Sequence, residues 1–154
     1  MMTNKSDEFF LDRIDKLIEA ERERSSFFYD NQFPCWLKII QGDRLIMDKV
    51  NAAYTRETGV TPSAYLGEED HKVWGPHTGE HFNEFDKIVV ETKGPVQSIE
   101  FATNPLNGLE QVWIGWKWPY FYKGEIVGIW GCAIPVLKEV YDNNMPIFDY
   151  LMKF

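Results

Sequence analysis

The sequence predicts a single α+β domain, in which two strands and a group of helices precede three further strands. Three observations support this prediction. Short apolar segments with the two-residue period of strands lie at both ends of the region 34–136, and between them apolar residues recur every three or four positions, as in helices. The 154 residues have the length of one domain. The 6 Trp, 7 Tyr and 11 Phe residues suit a compact core and a ligand pocket.

We divide the chain into an N-terminal amphipathic helix with its connector at 1–33, the folded domain at 34–136, and a C-terminal tail or short helix at 137–154. Two hypotheses are open for the N-terminal helix: it packs on its own domain, or it also dimerises. The tail has an amphipathic pattern, so it either docks on the domain or leads into the effector part of a longer regulator. The apolar stripe of the N-terminal helix includes Phe10, Ile14 and Leu17.

The first half of the domain begins with a predicted hairpin, whose strands are 35–40 and 45–50 with a turn at Gly42. Asn51 is a suitable cap for a short helix at 52–58, because its side-chain oxygen can accept from the first free backbone N–H groups. A second short helix starts in the cap-then-proline order at Thr61. A longer helix is expected after Gly79, with one apolar side formed by Phe82, Phe85, Ile88 and Val89.

The second half of the domain predicts strands at 96–102, 112–120 and 126–134. Alternation along the middle strand separates its side chains into two faces. One face carries Val112, Ile114, Trp116 and Trp118, and the other carries Trp113, Gly115 and Lys117. We expect the face with Trp116 to meet the small helices and the face with Trp113 to meet the N-terminal helix.

The order of these elements, together with three groups of residues, resembles a PAS domain over about residues 33–135. The groups are Val50–Tyr54 with Thr58 and Gly59; Tyr65–Gly67 with Asp70 and Trp74; and Trp113, Lys117 and Pro119 followed by Gly124–Gly131. This resemblance implies a PAS-like five-stranded antiparallel sheet with small helices on one face and a ligand pocket between them. It also implies a role in sensing or protein interaction, with a homodimer formed through a helix before the first strand.

The predicted pocket takes a small apolar or aromatic ligand, because aromatic side chains dominate the elements that would enclose it. The alternative is that these side chains only fill the core. The ligand-binding candidates are Tyr54, Tyr65, Trp74, Phe82, Phe85, Trp116 and Trp118.

The cofactor is unknown from the sequence. Haem-binding PAS sensors hold iron through a histidine on the long helix, and the resemblance makes His81 the candidate for that role. A photoreactive flavin is not expected, since the region 67–74 has no cysteine where light-sensing members carry one. His77, His81 and Glu84 share a helical face that suits a divalent ion, but Gly79 weakens the helix there, so no metal site is predicted.

Net charge −8 disfavours nucleic acid as a partner, because phosphate contacts need clustered Lys and Arg. The polar start and the lack of a long apolar segment predict a cytoplasmic protein without a membrane span. We expect a sensory or interaction module rather than an enzyme, since the Gly-x-Ser-x-Gly and phosphate-loop motifs are absent. The alternatives are a haem-based gas or redox sensor, and a small NTF2-like enzyme that uses His77 or His81 with Asp86.

The two cysteines give a test of the predicted topology. In the fold implied by the resemblance, the first and last strands are antiparallel neighbours. Cys35 opens the first strand and Cys132 lies near the end of the last, so antiparallel pairing should bring them close together as reduced thiols.

Overall fold

The computed structural model describes residues 31–151, which form a five-stranded antiparallel sheet with helices. The predicted N-terminal helix, with Phe10, Ile14 and Leu17, lies outside the described residues. The fold class expected from the sequence is confirmed for the sheet and for the helices that follow its first hairpin.

The strands lie in the spatial order β2-β1-β5-β4-β3, and each neighbouring pair is antiparallel. Their first and last members therefore meet at the middle of the sheet, where β1 pairs with β5. The strand bounds are β1 Cys35–Gln41, β2 Arg44–Val50, β3 Val96–Thr103, β4 Glu110–Tyr122 and β5 Glu125–Leu137.

Four helices connect β2 to β3, and two more follow β5. The last strand runs to Leu137, and the region predicted as a tail or short helix continues into the two C-terminal helices. None of the helices in the described part of the chain is long and apolar enough to cross a membrane. The helix bounds are α1 Ala52–Thr58, α2 Pro62–Tyr65, α3 Asp70–Trp74, α4 Pro76–Thr92, α5 Lys138–Asn143 and α6 Met145–Leu151.

The long helix α4 differs from its prediction in its start and in its buried face. It begins at Pro76, so Gly79 lies inside the helix, where a Cβ atom would stand 2.6 Å from the backbone of His71. The close approach of α3 thus explains the glycine. The inward face is formed by Phe82, Asp86 and Val89, whereas Ile88 is exposed. Because the acidic residue Asp86 occupies this buried face, the pattern of apolar residues alone placed Ile88 on the buried side of the helix by mistake.

Asn51 joins β1, β2 and α1 through four hydrogen bonds. Its Oδ1 accepts from the backbone N–H of Tyr54 at 2.9 Å, which caps α1 as predicted, and from that of Cys35 at 3.0 Å. Its Nδ2 donates to the carbonyl of Phe33 at 2.8 Å, and its backbone N–H donates to the carbonyl of Cys35 at 3.1 Å. One buried amide therefore fixes the position of the first helix against the first strand.

Cys35 and Cys132 are direct cross-strand partners, and both are free thiols. The predicted proximity of the two residues is confirmed, and with it the pairing of β1 with β5.

Candidate functional site: an interior cavity beside an ionic cluster

The inner face of the sheet, which packs against α1–α4, encloses a small cavity of about 20 Å³. A space of this size holds one water molecule. Its wall combines aromatic rings and a methionine with three ionisable side chains. The lining residues are Trp36, Lys38, Met47, Tyr54, Tyr65, Phe82, Glu100, Trp113 and Lys117.

The aromatic part of the wall is a set of edge-on and tilted rings. Trp113 lies at its centre, with ring centroids 6.0 Å from Trp36, 5.5 Å from Tyr54 and 5.9 Å from Trp74. The Trp74 indole N–H donates to the Tyr54 hydroxyl at 3.0 Å, so the polar ends of these two rings are partnered inside the core. Ring pairs at these distances contribute about 0.5–1.5 kcal/mol each beyond the area that they bury.

The polar part of the wall belongs to a buried group that we call the ionic cluster, and Lys38 on β1 is its first member. The Lys38 ammonium donates to Asp70 on α3, and to Asp86 on α4 at 2.7 Å. Asp70 also accepts from the Tyr65 hydroxyl. The full cluster is Lys38, Asp70, Asp86, Glu100 and Lys117, and each member is at most 2% exposed.

Lys117 on β4 connects the other half of the cluster. Its ammonium donates to Asp86 at 2.9 Å, to Glu100 on β3 at 2.7 Å and to the backbone carbonyl of Phe82 at 3.1 Å. All three ammonium hydrogens of Lys117 are therefore used. Through Asp86 the cluster ties α4 to both β1 and β4.

The two carboxyl groups that contact Lys117, those of Asp86 and Glu100, have pKa values shifted in opposite directions. Burial alone would raise the pKa of Asp86, but Lys117 and Lys38 outweigh it and hold this pKa below its ordinary value. Burial raises the pKa of Glu100, and the nearby Asp86 adds to this effect against the opposing pull of Lys117. The charged form of Asp86 is thus favoured and that of Glu100 is disfavoured.

Of the seven ligand-binding candidates, Tyr54, Tyr65 and Phe82 line the cavity. Trp74 packs one layer behind it, against Tyr54 and Trp113. Phe85 does not line it and is half-buried on α4 beside His81.

Trp116 and Trp118 were predicted to lie on the side of the sheet that meets the small helices, and this placement is wrong. Both lie on the opposite face of the sheet, which we call the outer face, where they line a cleft of about 570 Å³ together with Phe33, Cys132 and Ile134. Trp116 is 45% exposed. Since alternate residues of a strand point to opposite faces, the burial of Trp113 and Lys117 under the helices forces Trp116 and Trp118 outward.

His81 does not line the cavity. Its imidazole packs against Phe85, at 5.9 Å between ring centroids, and against Phe101 on β3 at 6.2 Å. A cavity of about 20 Å³ also has no room for a porphyrin. The interior of this structure therefore does not fit haem.

The His–Asp pair of the enzyme alternative is not formed among the described residues. Asp86 is bonded to Lys38 and Lys117, whereas the His81 imidazole lies 3.6 Å from Glu84. Two strands also precede the central helices, which is the reverse of the NTF2-like order. Within residues 31–151, no group of three or more His, Cys, Asp or Glu side chains is placed to hold a metal ion.

The ionic cluster was not predicted, although the sequence contains a signal for it. Lys38 and Lys117 each interrupt an otherwise apolar strand, and Asp86 stands between Phe82 and Val89 on the buried face of α4. A charged residue at a strand position flanked by large apolar residues either marks the solvent side or pairs inside the core. Only the three-dimensional arrangement decides between these cases.

Comparison with known proteins supports the fold through structure rather than sequence. No protein-family model matches the chain, and no curated protein matches it. The PAS domain of a Colwellia psychrerythraea protein matches with a TM-score of 0.63 and 16% identity, over 77% of this chain and 98% of that one. The PAS domain of Bordetella pertussis BvgS matches with a TM-score of 0.61 and 23% identity, over 88% and 99%.

A third solved structure, an RNA-binding Light-Oxygen-Voltage receptor, matches with a TM-score of 0.66 and 14% identity, over 90% of this chain but only 38% of that receptor. At these identities the likeness concerns the fold. The strand order, the helices on the inner face and the three matches agree, and we conclude that this chain has the PAS fold.

Proposed function

We propose that this chain is a sensory module without catalytic activity, which takes a small weak acid with an apolar or aromatic body into its interior. The observation that carries the proposal is the charge of the cavity wall. Lys38 and Lys117 line the cavity; Lys38 is paired with Asp70 and Asp86, and Lys117 is shared between Asp86 and Glu100, the one carboxyl group in the wall. Because burial disfavours the charged form of Glu100, the Lys117 ammonium favours a ligand that brings its own negative charge to that position.

The ligand would replace Glu100 as a partner of Lys117, while its apolar body lies against Trp36, Tyr54 and Trp113. The cavity of about 20 Å³ must enlarge for this to happen. A groove of about 290 Å³ between the β1–β2 turn and α4 reaches Asp86 from the surface. Movement of α4 away from this turn supplies both the entry path and the added volume.

The signal follows from the same contacts. Asp86 holds α4 to Lys38 on β1 and to Lys117 on β4. Alternate side chains of both strands lie on the outer face. A ligand acid that changes these pairs alters the position of α4 relative to the sheet. A second copy of this chain on the outer face is the partner that we propose to read the change. Exposed apolar side chains in that region, including Phe33, Trp116 and Ile134, support this choice.

The experiment compares matched acids and amides in a thermal-shift assay. Benzoate, phenylacetate and indole-3-acetate are each tested beside the corresponding amide. We expect at least one acid to raise the melting temperature with a saturable dose response, and its amide to raise it less, because the amide cannot form an ion pair with Lys117.

The variant Met47→Phe fills the cavity and should abolish the shift, whereas Leu106→Phe, at a position that is 66% exposed, should retain it. Equal shifts by an acid and its amide would exclude the charged site. The dimer part is tested separately by light scattering on the wild type and on Trp116→Lys, which should be monomeric if the outer face pairs two copies.

A further inference from the structure

We propose that Cys35 and Cys132 form a redox-active dithiol, which a hydroperoxide converts into a disulfide between β1 and β5. The two residues are cross-strand partners on the outer face of the sheet and are free thiols in the structure. This site lies away from the interior cavity and does not depend on the ligand proposed above.

The backbone hydrogen bonds place the two cysteines in the type of pair that brings side chains closest. The backbone N–H and carbonyl of Cys35 are both hydrogen-bonded to Asn51, so neither is bonded to Cys132 across the ladder. The neighbouring pair on the two strands, Pro34 and Ala133, is the hydrogen-bonded one: the Ala133 N–H donates to the Pro34 carbonyl at 3.1 Å. Cys35 and Cys132 are therefore a non-hydrogen-bonded pair, for which the Cα atoms are typically about 4.5 Å apart. This separation falls within the range of about 4.4–6.8 Å that disulfides span.

The two thiols differ in exposure and in acidity, which sets the order of the chemistry. Cys35 is buried, whereas Cys132 is only partly buried and lines the outer cleft. Hydrogen bonding between the paired thiols lowers the pKa of Cys132 and raises that of Cys35. Cys132 is thus the thiol that meets an oxidant from the cleft, and Cys35 is the resolving thiol.

The reaction has two balanced steps. The Cys132 thiolate attacks one oxygen of the hydroperoxide, the O–O bond breaks, and Cys132 becomes a sulfenic acid. The departing hydroxide or alkoxide takes up the proton that the Cys132 thiol had released and leaves as water or an alcohol. The Cys35 sulfur then attacks the sulfenic sulfur, the S–S bond forms, the S–O bond breaks, and hydroxide leaves with the Cys35 proton as water. The two sulfurs are oxidised by two electrons in total, and the peroxide is reduced by the same two.

A disulfide here would join the strands that meet at the middle of the sheet, beside Trp116, which is the cross-strand partner of Cys132 on β4. Oxidation would therefore change the same outer face that carries the exposed apolar side chains. The inferred function is a thiol switch on that face, reversed by dithiol reductants.

The test exposes the reduced protein to stoichiometric hydrogen peroxide, blocks the remaining thiols with N-ethylmaleimide and measures the intact mass. The mass of the wild type should fall by that of two hydrogen atoms, and neither cysteine should then react with N-ethylmaleimide. Peptide mapping should find Cys35 joined to Cys132. The variant Cys35→Ser should stop at a sulfenic acid on Cys132 that dimedone traps. The variant Cys132→Ser should react at least about tenfold more slowly.

The folded geometry is tested by repeating the oxidation of the wild type in urea, where closure should be slower because the two sulfurs are no longer held together. Wild-type protein that keeps both thiols, that proceeds to sulfinic acid at Cys132, or that forms only intermolecular disulfides would overturn the proposal. Equal closure rates in the folded and the unfolded protein would also overturn it, since the pairing on the sheet would then have no role.

Discussion

Replacing Asp86 by asparagine tests the ionic cluster most severely, because both lysines of the cluster depend on this carboxylate. Asp86 is fully buried and accepts from Lys38 Nζ at 2.7 Å and from Lys117 Nζ at 2.9 Å. In Asp86→Asn the negative charge is lost while two buried ammonium groups stay, and the new amide hydrogens face them.

The magnitude follows from the two bonds. Each charge-assisted hydrogen bond is worth about 1.5–3 kcal/mol, and removing one partner of a buried ion pair costs about 3–5 kcal/mol. We therefore expect Asp86→Asn to lower the free energy of unfolding by about 3–5 kcal/mol. At roughly 3 °C per kcal/mol for a chain of this size, the melting temperature should fall by roughly 10–15 °C.

The assay is urea unfolding at pH 7 followed by circular dichroism, with Glu84→Gln as the matched control. Glu84 lies on the same helix and is 64% exposed, so its replacement should change the free energy of unfolding by less than about 0.5 kcal/mol.

The stabilisation by Asp86 should depend on pH. The pKa of Asp86 is lowered, so its charge stabilises the fold at pH values above the ordinary pKa of 3.8, and this stabilisation is lost as the pH falls through the folded-state pKa. The difference in the free energy of unfolding between the wild type and Asp86→Asn should accordingly disappear at acidic pH. A loss below about 1 kcal/mol at pH 7 would refute the cluster as described.

Three further predictions concern other parts of the same core. The raised pKa of Glu100 means that its contribution to stability is fully present below pH 4.5 and is lost as the pH rises through the folded-state pKa; Glu100→Gln should remove this decline, as measured by urea midpoints between pH 4.5 and 8. Trp113→Ala should cost about 3–5 kcal/mol in the free energy of unfolding, whereas Trp116→Ala on the outer face should cost less than about 1.5 kcal/mol; equal losses would contradict the face assignment. Gly131→Ala would place a Cβ atom 2.1 Å from the facing indole ring and should cost at least about 1–3 kcal/mol, while Gly94→Ala, whose Cβ would meet nothing closer than 3.9 Å, should be near neutral in the same assay.

Much of the fold could be predicted from the sequence, because its signals are local. The Asn51 cap, the turn at Gly42 and the alternation in the last three strands each depend on a few neighbouring residues, and the structure has all of them. The antiparallel pairing of β1 with β5 came from the family resemblance rather than from the pattern. The facing cysteines Cys35 and Cys132 then confirmed it.

The site could be predicted only in part, because its decisive feature is non-local. On β4 both faces carry tryptophan, so the apolar pattern does not say which face is inner, and the lysine at 117 suggests the solvent side. Lys117 is buried only because Asp86 and Glu100, 31 and 17 positions away in the sequence, meet it from α4 and β3. Neither partner is visible in the local sequence of the strand, and this explains why Trp116 and Trp118 were placed on the wrong face.

Native mass spectrometry of the freshly purified protein tests the central claim, an interior site for a small acidic ligand, most directly. We expect a wild-type population that carries one small molecule, identified as a weak acid after denaturation and extraction. We expect this molecule to be absent from Met47→Phe, in which the cavity is filled. We also expect the wild type to take up benzoate, phenylacetate or indole-3-acetate when one of them is supplied. A wild type that carries no small molecule and binds none of these acids, or that retains one equally well in Met47→Phe, would contradict the account.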